Sequence, residues 1–470
     1  MMKYMKTGVM ASMLATLLMT AAGCADLDIV PEGKATLSKT SELEMMFNNK
    51  SMSSNPNESL GILVNEDYGR SFSKVADRIS NKNTLACAFL TYNEDIDRAA
   101  LTTKDNAYTY IYKTVNYMNV VISKIDGAQG DDDRKPAVKA EAKVTRAYFL
   151  FLAANMYAKQ YDAATASQEY GIAYPMTPDV GQKQQLMLDK CYEMMLEDCS
   201  DENINQLMDK GNVSRITKGG GNAVKALILF QMKRYAEALP YALKAITFND
   251  KIEDRSKIVE TEKWELLPSS ENNFFYVSPL STDNSYPNWE QLSVETAALF
   301  EPGDYVFDYA KSYGDPFWNP YYGKLDTGIE GCLEASGSEV YANPWGITVE
   351  QMMYLAAECY IRTGETGKGL DLVNKVRRYR IDSEHYQPFT ASTEAEAMEL
   401  LQKAKFIECI GSYVNFIDRR RWNTEDQYKK TITRDLGNLG KYSIAPDSKL
   451  WVMPFPVRVM ENNDTFRQNY

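Results

Sequence analysis

The sequence predicts a mostly α-helical protein, in which tetratricopeptide-like helix hairpins pack with a loop-rich, irregular part that carries the binding groups. Three observations predict it. Apolar residues recur at three- and four-residue steps over several long stretches. Small alanines sit at the steps where two helices would approach closely. The stretch 251–346, by contrast, is rich in Asn, Asp, Ser, Gly, Pro, Tyr and Trp.

The elements follow in chain order. Residues 105–124 place Tyr108, Ile111, Val115, Met118 and Ile122 on one helical stripe. Gly130–Pro136 is a polar, acidic linker, and Val138–Gln160 is the strongest helix, with Val144, Ala147, Tyr148, Phe151, Leu152 and Met156 on one face. Gln182–Asp209 reads as one further helix. Gly219-Gly220-Gly221 lacks the Gly-Lys-Ser/Thr of a phosphate loop and reads as a flexible lead into a helix capped at Asn222. Asn222–Phe248 then reads as a helix–turn–helix with Ala236, Ala238, Ala242 and Ala245 at close-packing steps and Pro240 tolerated early in its second helix. The same arrangement returns at Gln351–Arg378, and Ala395–Ile410 is helical again. The spacing between pairs is irregular, so the hairpins belong to a globule and not to a regular solenoid. The helical scaffold is thus expected mainly over 105–250 and 347–425, with 251–346 as the insert. Leu436–Tyr470 reads as irregular because Pro454 and Pro456 block regular structure.

Composition narrows function. The 470 residues carry 52 Lys+Arg against 64 Asp+Glu, a net charge of −12, with 44% hydrophobic residues. Such a balance suits a soluble globule and speaks against nucleic acid, whose phosphates need clustered cations. A single histidine, His385, in a polar stretch and expected at the surface, leaves little for multi-histidine metal sites or Ser-His-Asp chemistry. Nothing points to a bound nucleotide, haem or required metal, so no cofactor is expected.

The N-terminus sets the compartment. Lys3 and Lys6 precede an uncharged run from Gly8 to Ala22, which at ~1.5 Å per residue is too short for a ~30 Å hydrocarbon core and fits a signal peptide over 1–23. Ala21, Ala22 and Gly23 lead directly into Cys24, a sequence that resembles a bacterial lipobox and implies thioether lipidation of Cys24. No other apolar run is long enough to span a bilayer. The remaining cysteines are sparse, and Cys191 and Cys199, eight apart in one predicted helix, are too distant to bridge. They are expected to act as small buried hydrophobes.

Binding chemistry is sought among exposed aromatics with polar neighbours. The apolar C–H face of a sugar ring packs on Trp or Tyr while its hydroxyls pair with Asn, Asp or Arg. Tyr286-Pro287-Asn288-Trp289 and Phe317-Trp318-Asn319-Pro320-Tyr321-Tyr322 have this composition. Trp318 with Tyr321 or Tyr322, together with Trp289, are the expected lining of a site. Tyr286 and Asn319 join them, and Asn343-Pro344-Trp345, Tyr68 with Arg70, and Tyr92-Asn93 are weaker candidates. The strongest acid pairs for a glycosidase, Glu301 with Asp304 and Glu66 with Asp67, are more readily solvated faces, so no enzyme activity is expected. Arg419-Arg420-Arg421 is expected to pair internally beside Trp422.

Five segments in order resemble the RagB/SusD family of outer-membrane lipoproteins. They are the start Cys24-Ala25-Asp26-Leu27-Asp28-Ile29-Val30-Pro31; Glu141-Ala142 with Arg146-Ala147-Tyr148-Phe149; Val213-Ser214-Arg215-Ile216-Thr217-Lys218-Gly219; Ala357-Glu358 to Gly364 with Leu372-Val373-Asn374 and Val376-Arg377; and Leu450-Trp451 to Tyr470. Lys405–Trp422 departs from the family pattern, keeping only Asp418, Arg419, Arg420, Arg421 and Trp422, which marks a divergent member. The resemblance implies one SusD-like domain over 24–470, lipid-anchored on the outer membrane and facing the exterior. It implies a nutrient-binding protein, glycan before peptide, acting with a SusC-like TonB-dependent transporter. A structural lipoprotein of this fold without ligand binding is the alternative.

Overall fold

Where the apolar stripes are long, the chain builds long helices, and the residues at their ends explain their limits. A computed structural model describes residues 37–49, 55–69, 74–267, 269–277, 291–336 and 343–470. Within these, Lys39–Tyr470 forms one folded unit. The leader 1–23, Cys24, Arg70, Tyr286 and Trp289 lie outside the described residues.

Helix α1 spans Asn55–Leu63 and α2 spans Asn106–Lys124. The latter starts where the Asp105 carboxylate accepts the Tyr108 N–H at 3.2 Å, which satisfies one of the donors a helix start leaves open. Its Ile111, Val115 and Met118 are buried, and it packs on α3, Lys135–Tyr157. Pro136 sits in the first turn of α3, where its missing N–H costs nothing. From Ala147 to Tyr157 every residue of α3 is buried, so this helix is the spine of the core.

The stretch read as a single helix over 182–209 divides. Gln185–Met187 is a strand paired antiparallel with Tyr170–Ala173, and α4 covers only Leu188–Asp198. The Ser200 hydroxyl accepts the Asn203 N–H and caps a new short helix, Asp201–Gln206. A local side-chain cap therefore competes with the continuous helix that periodicity suggested.

Two hairpins carry the tetratricopeptide-like logic. The first joins α5 (Lys218–Gln231) to α6 (Tyr235–Phe248), with Ala238, Ala242 and Ala245 buried. The glycine triplet is not a flexible lead: it lies inside α5, and Asn222 donates from its amide to the Lys218 carbonyl at 2.7 Å instead of capping. Close packing is the reason. A Cβ on Gly219 would come within 2.9 Å of the Phe248 Cβ, and one on Gly221 within 2.5 Å of a Leu207 methyl. Helix α7, Pro320–Thr327, belongs to the insert. The second hairpin joins α8 (Val349–Arg362) to α9 (Thr366–Arg377) and packs on the first through α6 and α8. Both hairpin turns need a left-handed residue, Lys233 (φ 61°) in one and Gly364 (φ 88°) in the other. Helix α10 (Glu394–Glu408) opens with a reciprocal Thr393/Glu396 cap, and α11 (Tyr413–Asn423) packs on α1.

The fold is mostly α, and its sheets are small. Leu333–Ala335 lies between Gln291–Leu292 and Trp318–Asn319, all antiparallel. Asn273–Phe275 pairs antiparallel with Ile347–Thr348. The C-terminal stretch read as irregular holds one strand, Lys441–Ile444, which pairs with Ile432–Asp435. One large apolar cluster runs through the helices. A second, smaller one gathers Trp264, Leu292, Tyr305, Phe317 and Trp318 beneath the insert.

Candidate functional site

The aromatic run at 317–322 divides between the inside and the outside of the protein. Trp318 and Asn319 form an edge strand against Leu333–Ala335. Strand alternation and the turn that follows send Trp318 inward, where it is 4% exposed and packs at 5.4 Å on Phe317 and 6.2 Å on Phe300. The Asn319 carboxamide oxygen accepts the N–H groups of Tyr321 and Tyr322 at 2.9 and 3.2 Å, and Pro320 supplies the fixed φ of a first helical residue. Asn319 is therefore a helix cap that orients the two tyrosines. Tyr321 is 69% exposed and Tyr322 39%, and their rings meet edge to face at 5.4 Å.

Their support is rigid. A Cβ on Gly323 would lie 2.2 Å from the Cys332 carbonyl oxygen, so only glycine lets α7 sit this close to the central strand of the sheet. Gly328 closes α7 at φ 77°. The arrangement presents an exposed pair of aromatic faces with hydroxyls, held on a short capped helix. Tyr313, 91% exposed at the tip of the Lys311–Ser312 and Asp315–Pro316 hairpin, is a further outward tyrosine that composition did not single out. A Tyr-Gly pair between strand residues would have pointed to it.

The other candidates serve the interior. Tyr68 is fully buried, its hydroxyl accepts the Val294 N–H at 3.3 Å, and burial pushes its phenol well above its ordinary range. Tyr92 is buried with φ 48°. Trp345 is buried and stacks on Tyr413 at 5.9 Å, while the Asn343 amide donates to Asn273 and Phe275. Trp318 borders a small cavity of about 80 Å³ with Glu253, Arg255, Glu350 and Glu408, and its indole N–H has no partner among the described residues. That space suits a few waters at ~30 Å³ each and not a sugar ring.

The acid pairs hold structure. Glu301 accepts from Arg377 at 2.8 Å, and Asp304 caps the turn 305–309 through the Val306 and Phe307 N–H groups. Burial pushes the Asp304 carboxyl up to about 6. Glu66 accepts from Gly411 and Asn415, and Asp67 from Gly69. His385 is half exposed on Asp382. All six cysteines among the described residues are free and buried.

The segments that carry the family resemblance are where buried charges tie helices together. Arg146 of α3 forks onto Asp198 of α4 at 2.8 Å and reaches Asn119 of α2 at 2.7 Å. Glu141 takes Arg215 and the Ile216 N–H. Glu358 of α8 receives Arg421 at 2.6 and 2.8 Å and the Trp422 indole at 3.0 Å. The arginine run expected to pair internally is mixed. Arg421 is doubly paired, with Glu358 and Asp418, and Arg420 donates to the carbonyls of Asn155 and Ala158. Arg419 has no ion pair and no hydrogen bond among the described residues; its guanidinium lies 5.2 Å from the Trp422 ring.

With this geometry in view, the comparisons are consistent. A SusD superfamily protein from Bacteroides thetaiotaomicron superposes with a TM-score of 0.64 at 17% identity, covering 92% of this chain and 100% of that one. A SusD-like protein from Bacteroides fragilis gives 0.64 at 16%, covering 93% and 99%. A SusD-like carbohydrate binding protein from Bacteroides vulgatus gives 0.64 at 13%, covering 92% and 98%. No curated protein matches the chain in sequence. These likenesses define the class: a helix-hairpin protein of SusD-like fold. Residues 37–218 match the SusD-like_3 family, described as starch-binding and associating with the outer membrane. That match takes in the first of the long helices, and the likeness to the solved structures extends over the whole fold. No helix among the described residues is long and apolar enough to cross a membrane.

Proposed function

We propose that this protein is a lipid-anchored binding protein of the outer membrane that captures glycan at the cell exterior. On this reading it hands the glycan to a SusC-like TonB-dependent transporter. The observation that carries the glycan reading is the pair Tyr321–Tyr322, outward-facing and fixed by the Asn319 cap, in a chain whose residues 37–218 match a family described as starch-binding. Aromatic faces stack on the C–H side of sugar rings, and their rigidity limits the entropy lost on binding. Trp289 and Tyr286 complete the platform in this proposal. Cys24 is the anchor and carries the acyl chains that hold the protein at the membrane.

Titration calorimetry with maltoheptaose and a panel of other oligosaccharides tests the reading. We expect measurable affinity for at least one glycan and a tenfold or greater loss in the Tyr321→Ala/Tyr322→Ala variant. Unchanged affinity in that variant defeats the site, and no glycan binding at all defeats the function. Replacing Cys24 by Ser is expected to release the protein from the membrane fraction; full retention would remove the anchor.

A further inference from the structure

Away from the tyrosine pair, α10, α11 and the strand Ile432–Asp435 line an open cavity of about 650 Å³. That size falls within the ~300–1,000 Å³ of small-molecule sites. Its wall combines apolar surface from Phe406 and Trp422 with three residues that each hold a buried polar atom lacking any partner: Arg419 Nη1, Gln402 Nε2 and Glu295 Oε2. Buried polar groups are nearly always paired, so three orphans around one cavity call for an explanation. Arg419 is the strongest of them. It is 92% buried by its 8% exposure, and burial holds its guanidinium down to about 10. Its neighbour Arg421, two residues on, is ion-paired with both Glu358 and Asp418. Lys430 lines the same cavity without an ion pair, its ammonium lowered by burial and by the charge of Arg419.

The carboxylates on this wall are not equivalent. Glu396 is occupied by the Ser392 and Thr393 N–H groups, and Glu399 is exposed. Glu295 accepts the Asp435 N–H through Oε1 and keeps Oε2 for a donor. The cavity thus asks for two things at once: an anionic acceptor for Arg419 and Lys430, and a hydroxyl donor for Glu295. A free carboxylate satisfies only the first and a neutral sugar only the second.

We infer that this cavity is a second binding site, for an acidic saccharide whose carboxylate meets Arg419 and Lys430 while a ring hydroxyl donates to Glu295. The inference stands apart from the tyrosine pair, and its failure would leave that reading intact. The test titrates the purified protein with digalacturonate, neutral galactobiose and acetate. Digalacturonate is expected to bind at least tenfold more tightly than galactobiose, with a preference that shrinks as salt rises. Acetate at equal carboxylate concentration is expected to compete weakly. Arg419→Met is expected to erase the preference without lowering the melting temperature, since it removes an unpaired buried charge. Lys430→Gln, at an exposed position, is expected to reduce affinity about threefold and serves if the first variant does not fold. The preference should persist in the Tyr321→Ala/Tyr322→Ala background. Equal affinity for acid and neutral disaccharides, acetate competing as well as digalacturonate, or full affinity in both cavity variants would each overturn the proposal.

Discussion

The hairpin scaffold and the insert that bears the tyrosine pair treat charge in opposite ways. In the scaffold, burial pushes the Glu358 and Glu408 carboxyls up, but Arg421 and Lys405 on one and Arg380 and Arg255 on the other outweigh it, and both end below the usual range. In the insert, burial wins. Asp304 rises to about 6 and Glu334 to about 7, the latter helped by the neighbouring Asp326. Glu350, at the first turn of α8 where the two parts meet, is raised despite Arg380. Fixed arginine partners tie the scaffold's buried carboxylates, while the insert buries carboxyls whose charged neighbours do not offset the loss of solvent. The lesson is that the residues of the family resemblance build the frame, and the proposed ligand groups stand where that resemblance is thinnest.

The largest expected effect breaks the frame. Arg421→Met leaves the buried Glu358 without its arginine and with only the Trp422 indole as donor, and removing one partner of a buried pair costs about 3–5 kcal/mol. Chemical denaturation should show that loss. A change under about 1 kcal/mol would mean the pair is not the tie the geometry implies.

A smaller effect compares two glycines. Gly323→Ala drives a methyl against the Cys332 carbonyl, which is backbone and cannot turn aside, so we expect a loss of about 1–3 kcal/mol from overpacking. Gly221→Ala meets only the tip of Leu207 and gains helix propensity of up to ~1 kcal/mol, so its net change should stay within about 0.5 kcal/mol. Reversal of this order in a melting series would show that α7 is less firmly seated than α5.

The pH dependence separates the two regions further. Glu334 has a raised folded pKa, so between about 4.5 and 7 the folded state binds the extra proton. Stability therefore falls as pH climbs through that window and is level above it. Glu358 behaves oppositely, its contribution being complete above about 4.5 and lost as pH falls below. Glu334→Gln should gain on the order of 1–2 kcal/mol at pH 8 and nothing at pH 4. An equal shift at both pH values would contradict the raised carboxyl.

How much of this was legible in the sequence depends on whether a residue's role is local. The hairpins were legible because alanine spacing and apolar stripes are local signals that burial then satisfies. The break at Cys199 and Ser200 was hidden because a single hydroxyl cap outweighs periodicity over one turn. The glycine triplet misled because its meaning lies in Phe248 and Leu207, distant in sequence. At the site, composition found the run 317–322, yet it could not tell Trp318 from Tyr321, since the edge strand and the Asn319 cap decide which ring turns outward. Arg419 was grouped with its paired neighbours for the same reason: adjacent positions on a helix face different partners.

The smallest expected effect on the fold is the most informative about the insert. Tyr321 and Tyr322 are exposed, and the hydrogen bonds they give to the Asn319 cap come from backbone N–H groups, which alanine keeps. Their removal costs little apolar burial, so Tyr321→Ala/Tyr322→Ala should change stability by no more than about 0.5 kcal/mol. Two rings that contribute little to folding, held by a cap that does, are what a ligand platform requires: the cap Asn319→Ala should lower stability by about 1 kcal/mol and weaken glycan binding with both tyrosines still present. Binding loss without stability loss in the tyrosine variant, and both losses in the cap variant, separate platform from support. If the tyrosine variant instead unfolds as readily as Arg421→Met, the pair belongs to the frame and the contrast between the two regions collapses.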